Sequence, residues 1–169
     1  LLVAAALRLG NLGRWSLWYD ETVSVYLAQL PLREMLDHTA GDIHPPGYYA
    51  LLHFWQSLLA PTPATGLEYI YAFVSVAAGL AGLALLYTIG RSIFGATYAL
   101  VALWLGALNP FQIWYSQEVR MYTLGALLAL LCLWASLRWF RGGEWRFLLL
   151  YAIAAAAGLY TLYYFLFAL

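Results

Sequence analysis

The stretch YIYAFVSVAAGLAGLALLYTI, residues 69–89, decides the fold class of this chain. It carries no charged side chain, and about 20 mostly apolar residues suffice for a helix to cross the hydrocarbon core of a bilayer. The whole chain agrees, because 64% of its residues are hydrophobic and 9% are charged, against about a quarter charged in soluble domains. A soluble fold of this size would lack the polar side chains needed to cover its surface. The sequence therefore predicts an all-α membrane protein.

Further apolar runs on either side of this stretch predict a polytopic transmembrane helical bundle. The predicted spans are residues 1–12, 69–89, 96–113, 121–137 and 147–167. Both ends of the chain are apolar, so we expect a fragment of a longer protein. Transporters and channels need ionisable groups or broken helices within their spans. The sequence analysis predicts neither feature in these spans, which disfavours a transporter.

A long segment between the first two spans, residues 13–67, holds most of the charge and is predicted to contain short helices. Residues 21–29 follow Asp20, a residue type that commonly caps helix N-termini, and residues 32–37 follow a proline, which often starts a helix. Residues 46–59 form an apolar helix, stopped by Pro61 and Pro63, that is too short to cross a bilayer. A juxtamembrane helix lying in the interface fits this stretch better.

The positions of the arginines test that interpretation. If residues 46–59 do not span, then Arg91 shares one side of the membrane with Arg138, Arg141 and Arg146, which the positive-inside rule makes cytoplasmic. If residues 46–59 did span, Arg91 would be separated from the other three. The first topology is simpler, and it places residues 13–67 and the loop 109–120 together on the outer face. The acidic side chains expected there are Asp20, Glu21, Glu34, Asp37, Asp42, Glu68 and Glu118.

The acidic pair Asp20-Glu21 lies just after the first span, within an aromatic run that would anchor it at the headgroup level. Carboxylates there are candidates for a general base or acid; the alternative is a helix cap and a solvated charge. Asp42 and His44 lie before two prolines. His44 is a candidate for phosphate binding, proton donation or metal ligation, or it is structural. Together with Asp20 or Glu21, these residues are candidate metal ligands, although their spacing is not specific.

Glu118, Arg120 and Tyr122 lie at the outer mouth of the fourth span. Glu118 and Arg120 form a plausible pair of an acid and a phosphate-binding cation; the alternative is that both simply extend towards the interface. The net charge of zero and the lack of a basic run make nucleic acid an unexpected partner. The single Cys132 excludes an internal disulfide and a cysteine-based metal site.

Three motifs together carry a family resemblance: WSLWYDE at 15–21, HPPGYYALLHFW at 44–55 and NPFQIWYSQEVRMYTL at 109–124. Their order and spacing resemble bacterial glycosyltransferase family 39. This is the protein-mannosyltransferase-like branch of the GT-C membrane glycosyltransferases, related to lipid A aminoarabinose transferases. The resemblance covers nearly all of the chain. It departs where relatives often carry an arginine and a proline, since Ala72 and Val74 stand there.

The resemblance implies a function and a place. Relatives transfer a sugar, with inversion, from a polyprenyl-phosphate carrier to an acceptor hydroxyl on a lipid, glycan or protein, at the outer face of the bacterial plasma membrane. It makes Asp20, beside Glu21, the expected catalytic base. It places His44, Glu118, Arg120 and Tyr122 among groups that contact the carrier phosphate or substrate. A divalent metal ion is a possible cofactor, with Asp20, Asp42 and His44 as its candidate ligands.

The resemblance also implies that residues 1–169 are the N-terminal part of a GT-C transmembrane domain, with its C-terminal part missing. The fragment is then expected to be inactive alone. A non-catalytic membrane scaffold remains the alternative, and it would leave Asp20, His44 and Glu118 far apart. An enzyme requires these groups to meet at one substrate.

Overall fold

The computed structural model describes residues 1–10, 12–59 and 67–169, and over these residues the chain is helical, with no strand. The helices are α1 (Leu2–Leu9), α2 (Tyr19–Gln29), α3 (Leu32–Thr39), α4 (Gly47–Leu58), α5 (Leu67–Phe94), α6 (Ala96–Leu108), α7 (Pro110–Gln117), α8 (Tyr122–Gly142) and α9 (Trp145–Thr161). A 3₁₀ helix, Tyr163–Ala168, follows α9. The predicted all-α class is confirmed for the described residues.

The longest helices are suited to a membrane. Within the described residues, α5 and α8 are long and apolar enough to cross it, and α6 with α7 make a third crossing if the bent pair is one span. The remaining predicted spans, 1–12 and 147–167, correspond to the shorter α1, with 8 residues, and α9, with 17 residues. Two or three spanning helices are thus compatible with a membrane protein.

The third predicted span, residues 96–113, is not one straight helix. It ends at Leu108 and restarts at Pro110, with a bend of 57° between the two parts. Pro110 has no N–H to continue the α6 ladder, and the Asn109 side chain accepts the N–H groups of Phe111 and Gln112 at 2.9 and 3.2 Å. The expectation of spans without broken helices is therefore wrong here.

The short helices of the segment between α1 and α5 largely match their predictions. Helix α3 begins at Leu32 and runs two residues further than predicted, and α4 occupies the apolar stretch as expected. The stop at Pro61 and Pro63 lies outside the described residues. The N-cap assignment of Asp20 is wrong, because α2 begins at Tyr19 and places Asp20 inside its first turn.

Helix α5 is the centre of the fold, with α1, α4, α6, α7 and α8 packed against it, while α8 and α9 form a hairpin. A buried core joins the short helices to the end of α5 and the loop before α8. It includes Leu27, Ala28, Met35, Tyr48, Tyr49, Leu52, Tyr71, Ala72, Val119 and Met121. Because this core removes large aromatic and aliphatic side chains from solvent, it fixes the short helices over one end of the bundle.

The opposite end of the bundle carries four arginines. Arg141 donates to the carbonyl of Ser92 at 2.9 Å, which brings the C-terminal end of α5 to the C-terminal end of α8. Arg138 and Arg146 both lie 5.1 Å from the ring centre of Phe147, in the α8–α9 turn. Arg91, in the last turn of α5, is therefore at the same end as the other three, as expected if α4 does not span.

Candidate functional site

Glu21 joins the two loops that the sequence analysis singled out. Its Oε2 accepts the backbone N–H of Trp18 at 3.1 Å, which satisfies an N–H at the start of α2. Its Oε1 accepts the N–H of Val119 at 2.7 Å, across 98 residues of sequence. The side chain is buried, and each of its oxygens already holds a backbone donor. The geometry thus favours a structural role for Glu21 over the predicted catalytic one.

Asp20 points its carboxylate to a different partner. Its Oδ2 lies 3.5 Å from Nη2 of Arg120, and its backbone carbonyl accepts a hydrogen bond from Nη1 of Arg120 at 3.4 Å. The Asp20 side chain is 38% exposed, whereas that of Arg120 is 6% exposed. Its Oδ1 accepts no hydrogen bond from a described residue. One oxygen of this partly exposed carboxylate is therefore held by a buried guanidinium, and the other has no hydrogen-bond donor among the described residues.

Arg120 is held from several directions. Its Nη2 donates to the hydroxyl of Tyr122 at 3.5 Å, and its guanidinium carbon lies 5.6 Å from the centre of that ring. Burial disfavours its charge, but the hydrogen bond to Tyr122 and the charge of Asp20 outweigh burial and raise the pKa of Arg120. Its buried Nε donates to no described residue. Buried polar groups normally have a hydrogen-bond partner, so this Nε–H is an unsatisfied donor within the guanidinium.

The backbone at Arg120 is fixed by α4 and α5. Ser75 donates to the carbonyl of Arg120 at 3.3 Å, and the hydroxyls of Ser75 and Tyr48 lie 3.2 Å apart. Both side chains are buried. This connection places the first residues of α4 beside the Asp20–Arg120 pair. Neither Tyr48 nor Ser75 was a predicted site residue; the only sequence signal was the Tyr-Tyr pair after the prolines.

His44 lies at the entrance to α4, close to the same guanidinium. Its Nδ1 is 4.0 Å from Oδ1 of Asp42. Burial and the positive charge of Arg120 lower the pKa of His44, and the carboxylates of Asp42 and Asp20 offset this only in part. This lowering favours the neutral form of the His44 ring over the cation. Nearby, burial and then the charge of Asp42 raise the pKa of Tyr49 to about 12.

Glu118 faces another part of the site. Its Oε1 accepts the indole N–H of Trp114 at 2.7 Å. Burial raises the pKa of Glu118; the Trp114 hydrogen bond opposes this, and the charges of Glu21 and Asp20 add to it. Glu118 lines a cleft of about 460 Å³, together with Trp114, Trp15, Trp18 and Glu68. Trp114 was missed, although its position one helical turn before Glu118 is a readable signal.

The candidate metal ligands are not brought together. Among the described residues, no three His, Cys, Asp or Glu side chains form a group that could hold a metal ion. Asp20 is instead paired with Arg120, and His44 is near the same positive charge. A divalent cation would be repelled by a guanidinium at that distance. Asp20, Asp42 and His44 therefore do not fit a metal, and no chemical step is assigned to one.

The remaining histidines have structural contacts. Nδ1 of His53 lies 2.9 Å from the carbonyl of Ala28, joining α4 to α2, and the ring of His38 packs edge-on against Tyr26. These contacts favour a structural role for both residues. Comparison with known protein families, curated proteins and solved structures finds no match to this chain. The resemblance to glycosyltransferase family 39 accordingly rests on the three motifs alone.

Proposed function

We propose that this chain belongs to an integral-membrane glycosyltransferase that moves a sugar from a polyprenyl-phosphate carrier to an acceptor hydroxyl. The observation that carries the proposal is the pairing of Asp20 with Arg120 across 100 residues of sequence. It brings an exposed carboxylate and a buried, incompletely bonded guanidinium together at one end of an apolar bundle. A reaction that removes a proton and releases a phosphate needs both groups, close together, beside lipid.

The proposed reaction is a single displacement. The acceptor oxygen bonds to the anomeric carbon while the bond from that carbon to the phosphate oxygen breaks, and the bonding pair leaves with the phosphate. Asp20 takes the proton of the acceptor hydroxyl through its Oδ1. Arg120 stabilises the negative charge on the leaving phosphate. Attack opposite the leaving group inverts the anomeric configuration.

Other residues complete this proposal. Neutral His44 offers a hydrogen bond to a phosphate oxygen without adding charge, and Tyr122 holds Arg120 from the far side. Glu118 and the tryptophans of the cleft are suited to binding the acceptor. Indole rings pack against the apolar faces of a ligand, and a carboxylate accepts hydrogen bonds from its polar groups. The acceptor class, whether lipid, glycan or protein, is left open by these groups.

The membrane placement is part of the same proposal. A polytopic bundle would set the arginine end, with Arg91 and Arg141, on the cytoplasmic side of a bacterial plasma membrane. Helices α2, α3 and α4 would then lie at the outer interface, where a lipid-linked sugar presents its phosphate. The prenyl tail would remain in lipid against the apolar helices.

The scaffold alternative predicts that the candidate catalytic groups lie far apart. It is disfavoured because the charges of Asp20 and Arg120 act on both His44 and Glu118. The transporter alternative gains two features that the sequence analysis had not expected, the broken α6–α7 pair and a buried Arg8. Arg8 is fully buried and donates to carbonyls and a serine, so it is not exposed to a permeation path. Glycosyl transfer is the better account.

The test is Asp20→Asn in the membrane-embedded protein, assayed with candidate polyprenyl-phosphate sugars. Asparagine keeps the shape but cannot take a proton, so we expect transfer to fall by about 100-fold or more, as for the loss of a general base, with normal membrane insertion. Asp37→Asn, an exposed acid on α3, is the matched control and should retain activity. Near-normal transfer by the Asp20 variant would eliminate Asp20 as the base.

A further inference from the structure

Arg8 is the least expected side chain in the bundle, since it lies in an apolar helix and is fully buried. Its Nε donates to Ser116 Oγ at 3.1 Å, its Nη1 to the carbonyls of Ala4 and Ala107 at 3.2 Å each, and its Nη2 to the carbonyl of Gly106 at 3.3 Å. Within the described part of the chain it makes no ion pair. A buried charge among apolar helices is rare and costly. The groups that Arg8 contacts therefore indicate its role.

Two of those partners are carbonyls that the break between α6 and α7 leaves without donors. In an uninterrupted helix, the N–H of residue 110 would donate to Gly106 and that of residue 111 to Ala107. Pro110 has no N–H, and the N–H of Phe111 donates to Asn109 Oδ1 instead. Arg8 therefore donates to two of the carbonyls that lost their partners.

This substitution is energetically reasonable. A carbonyl left without a donor in an apolar environment costs several kcal/mol. The C-terminal end of α6 also carries the partial negative charge of the helix dipole, which a guanidinium offsets. Arg8 thus has compensating dipoles although no carboxylate is nearby.

The connection also runs in the opposite direction. Nε2 of Gln117, the last residue of α7, donates to the carbonyl of Arg8 at 3.0 Å. Ser116 and Gln117 directly precede Glu118, Val119 and Arg120, which reach the Asp20–Glu21 turn. The orientation of the last turn of α7 therefore determines whether Arg120 contacts Asp20.

We propose that Arg8 is a positioning residue: its guanidinium replaces two of the backbone donors missing at the α6–α7 break and so directs the end of α7 towards the Asp20–Glu21 turn. Its effect on sugar transfer rests on the proposed function. Its effect on the orientation of α7 does not, so the two ideas can fail separately.

The experiment measures that orientation in the membrane-embedded protein. Spin labels on cysteines at the exposed positions Thr22 on α2 and Phe111 on α7, in a Cys132→Ala background, report the distance between the two helices by pulsed electron resonance. We expect Arg8→Met to broaden or displace the distance distribution. If sugar transfer is present, kcat should fall by about 100-fold, while the KM for the donor changes by less than about threefold.

Arg91→Met is the matched control, because Arg91 also lies in the last turn of its helix but is exposed; it should change neither measurement. Arg8→Met/Pro110→Ala tests the donor account directly, since residue 110 regains an N–H for the Gly106 carbonyl. This double variant should give a higher folded yield than Arg8→Met. The distance between the two spin labels should still be displaced, and kcat should not recover. An unchanged distance in Arg8→Met, or a double variant as poorly folded as the single one, would overturn the proposal.

Discussion

Asp20 and Glu21 are neighbours in sequence, but their carboxylates have different partners. Glu21 holds two backbone N–H groups in the protein interior, whereas Asp20 shares one oxygen with Arg120 and the other has no hydrogen-bond donor among the described residues. The sequence alone could assign neither role, because the partners Val119 and Arg120 lie about a hundred residues away. What the sequence did predict is that these loops share one face, from the distribution of arginines.

At the same scale, His44 makes the pH dependence of stability testable. Burial and Arg120 hold the pKa of His44 below its usual 6.5, with Asp42 and Asp20 opposing. A lowered pKa means that the unfolded chain binds the proton more readily than the folded one. The contribution of neutral His44 is therefore complete above about pH 6.5 and is lost as the pH falls through the window between that value and the lower folded pKa.

We accordingly expect the melting temperature of the wild-type protein in detergent to fall from pH 7.5 to pH 5 more steeply than that of His44→Gln. His38 and His53 are present in both proteins, so the difference between the two reports on position 44 alone. If the melting temperatures of the two proteins fall in parallel over this pH range, His44 is not held neutral by its surroundings.

At the scale of elements, hydropathy located the helices but not their interruptions. The mostly apolar run at residues 96–113 predicts one continuous span, whereas α6 ends at Leu108 and a second helix follows at an angle of 57°. Arg8 was counted within an apolar span because a one-dimensional window cannot register its partners at Gly106, Ala107 and Ser116. The partners of Arg8 are distant in sequence, which local patterns do not encode, whereas the break is made locally by Asn109 and Pro110.

The contact between α4 and α9 supports the position of the short helices and can be tested at Gly47. A Cβ added there would lie 2.8 Å from the carbonyl carbon of Tyr160 and 3.3 Å from the backbone nitrogen of Thr161. Backbone atoms cannot rotate away as a side chain would, so α4 would have to separate from α9. The cost of such overpacking is about 1–3 kcal/mol.

Gly47→Ala should therefore lower the free energy of unfolding by about 1–3 kcal/mol, although alanine is the better helix former. Gly125→Ala is the control: Gly125 is also a helical glycine, and although it is buried, a Cβ there meets nothing within 4 Å. It should raise stability by up to about 1 kcal/mol. Equal stability of the two variants, measured by denaturant titration in micelles, would mean that α4 does not pack closely on α9.

At the scale of the whole molecule, charge is separated between the two ends of the bundle. Acids gather where α2, α3 and α4 cover the end of α5, and the arginines of α8 gather where Arg141 reaches Ser92. This separation was predictable from the sequence, because it requires only the order of apolar runs and the assumption that α4 does not span. The positive-inside rule then predicts that the arginine end faces the cytoplasm.

That orientation can be measured with single cysteines in a Cys132→Ala background. Asp37→Cys places a thiol on exposed α3, and Gly142→Cys places one at the exposed arginine end. A membrane-impermeant maleimide applied to intact spheroplasts should label position 37, and position 142 only after permeabilisation, because the positive-inside rule predicts that the end with four arginines faces the cytoplasm. The background without either cysteine should remain unlabelled. If position 142 alone is labelled in intact spheroplasts, the orientation is the reverse of the predicted one. Asp20 would then lie away from the outer face, where the proposed carrier-linked sugar is presented.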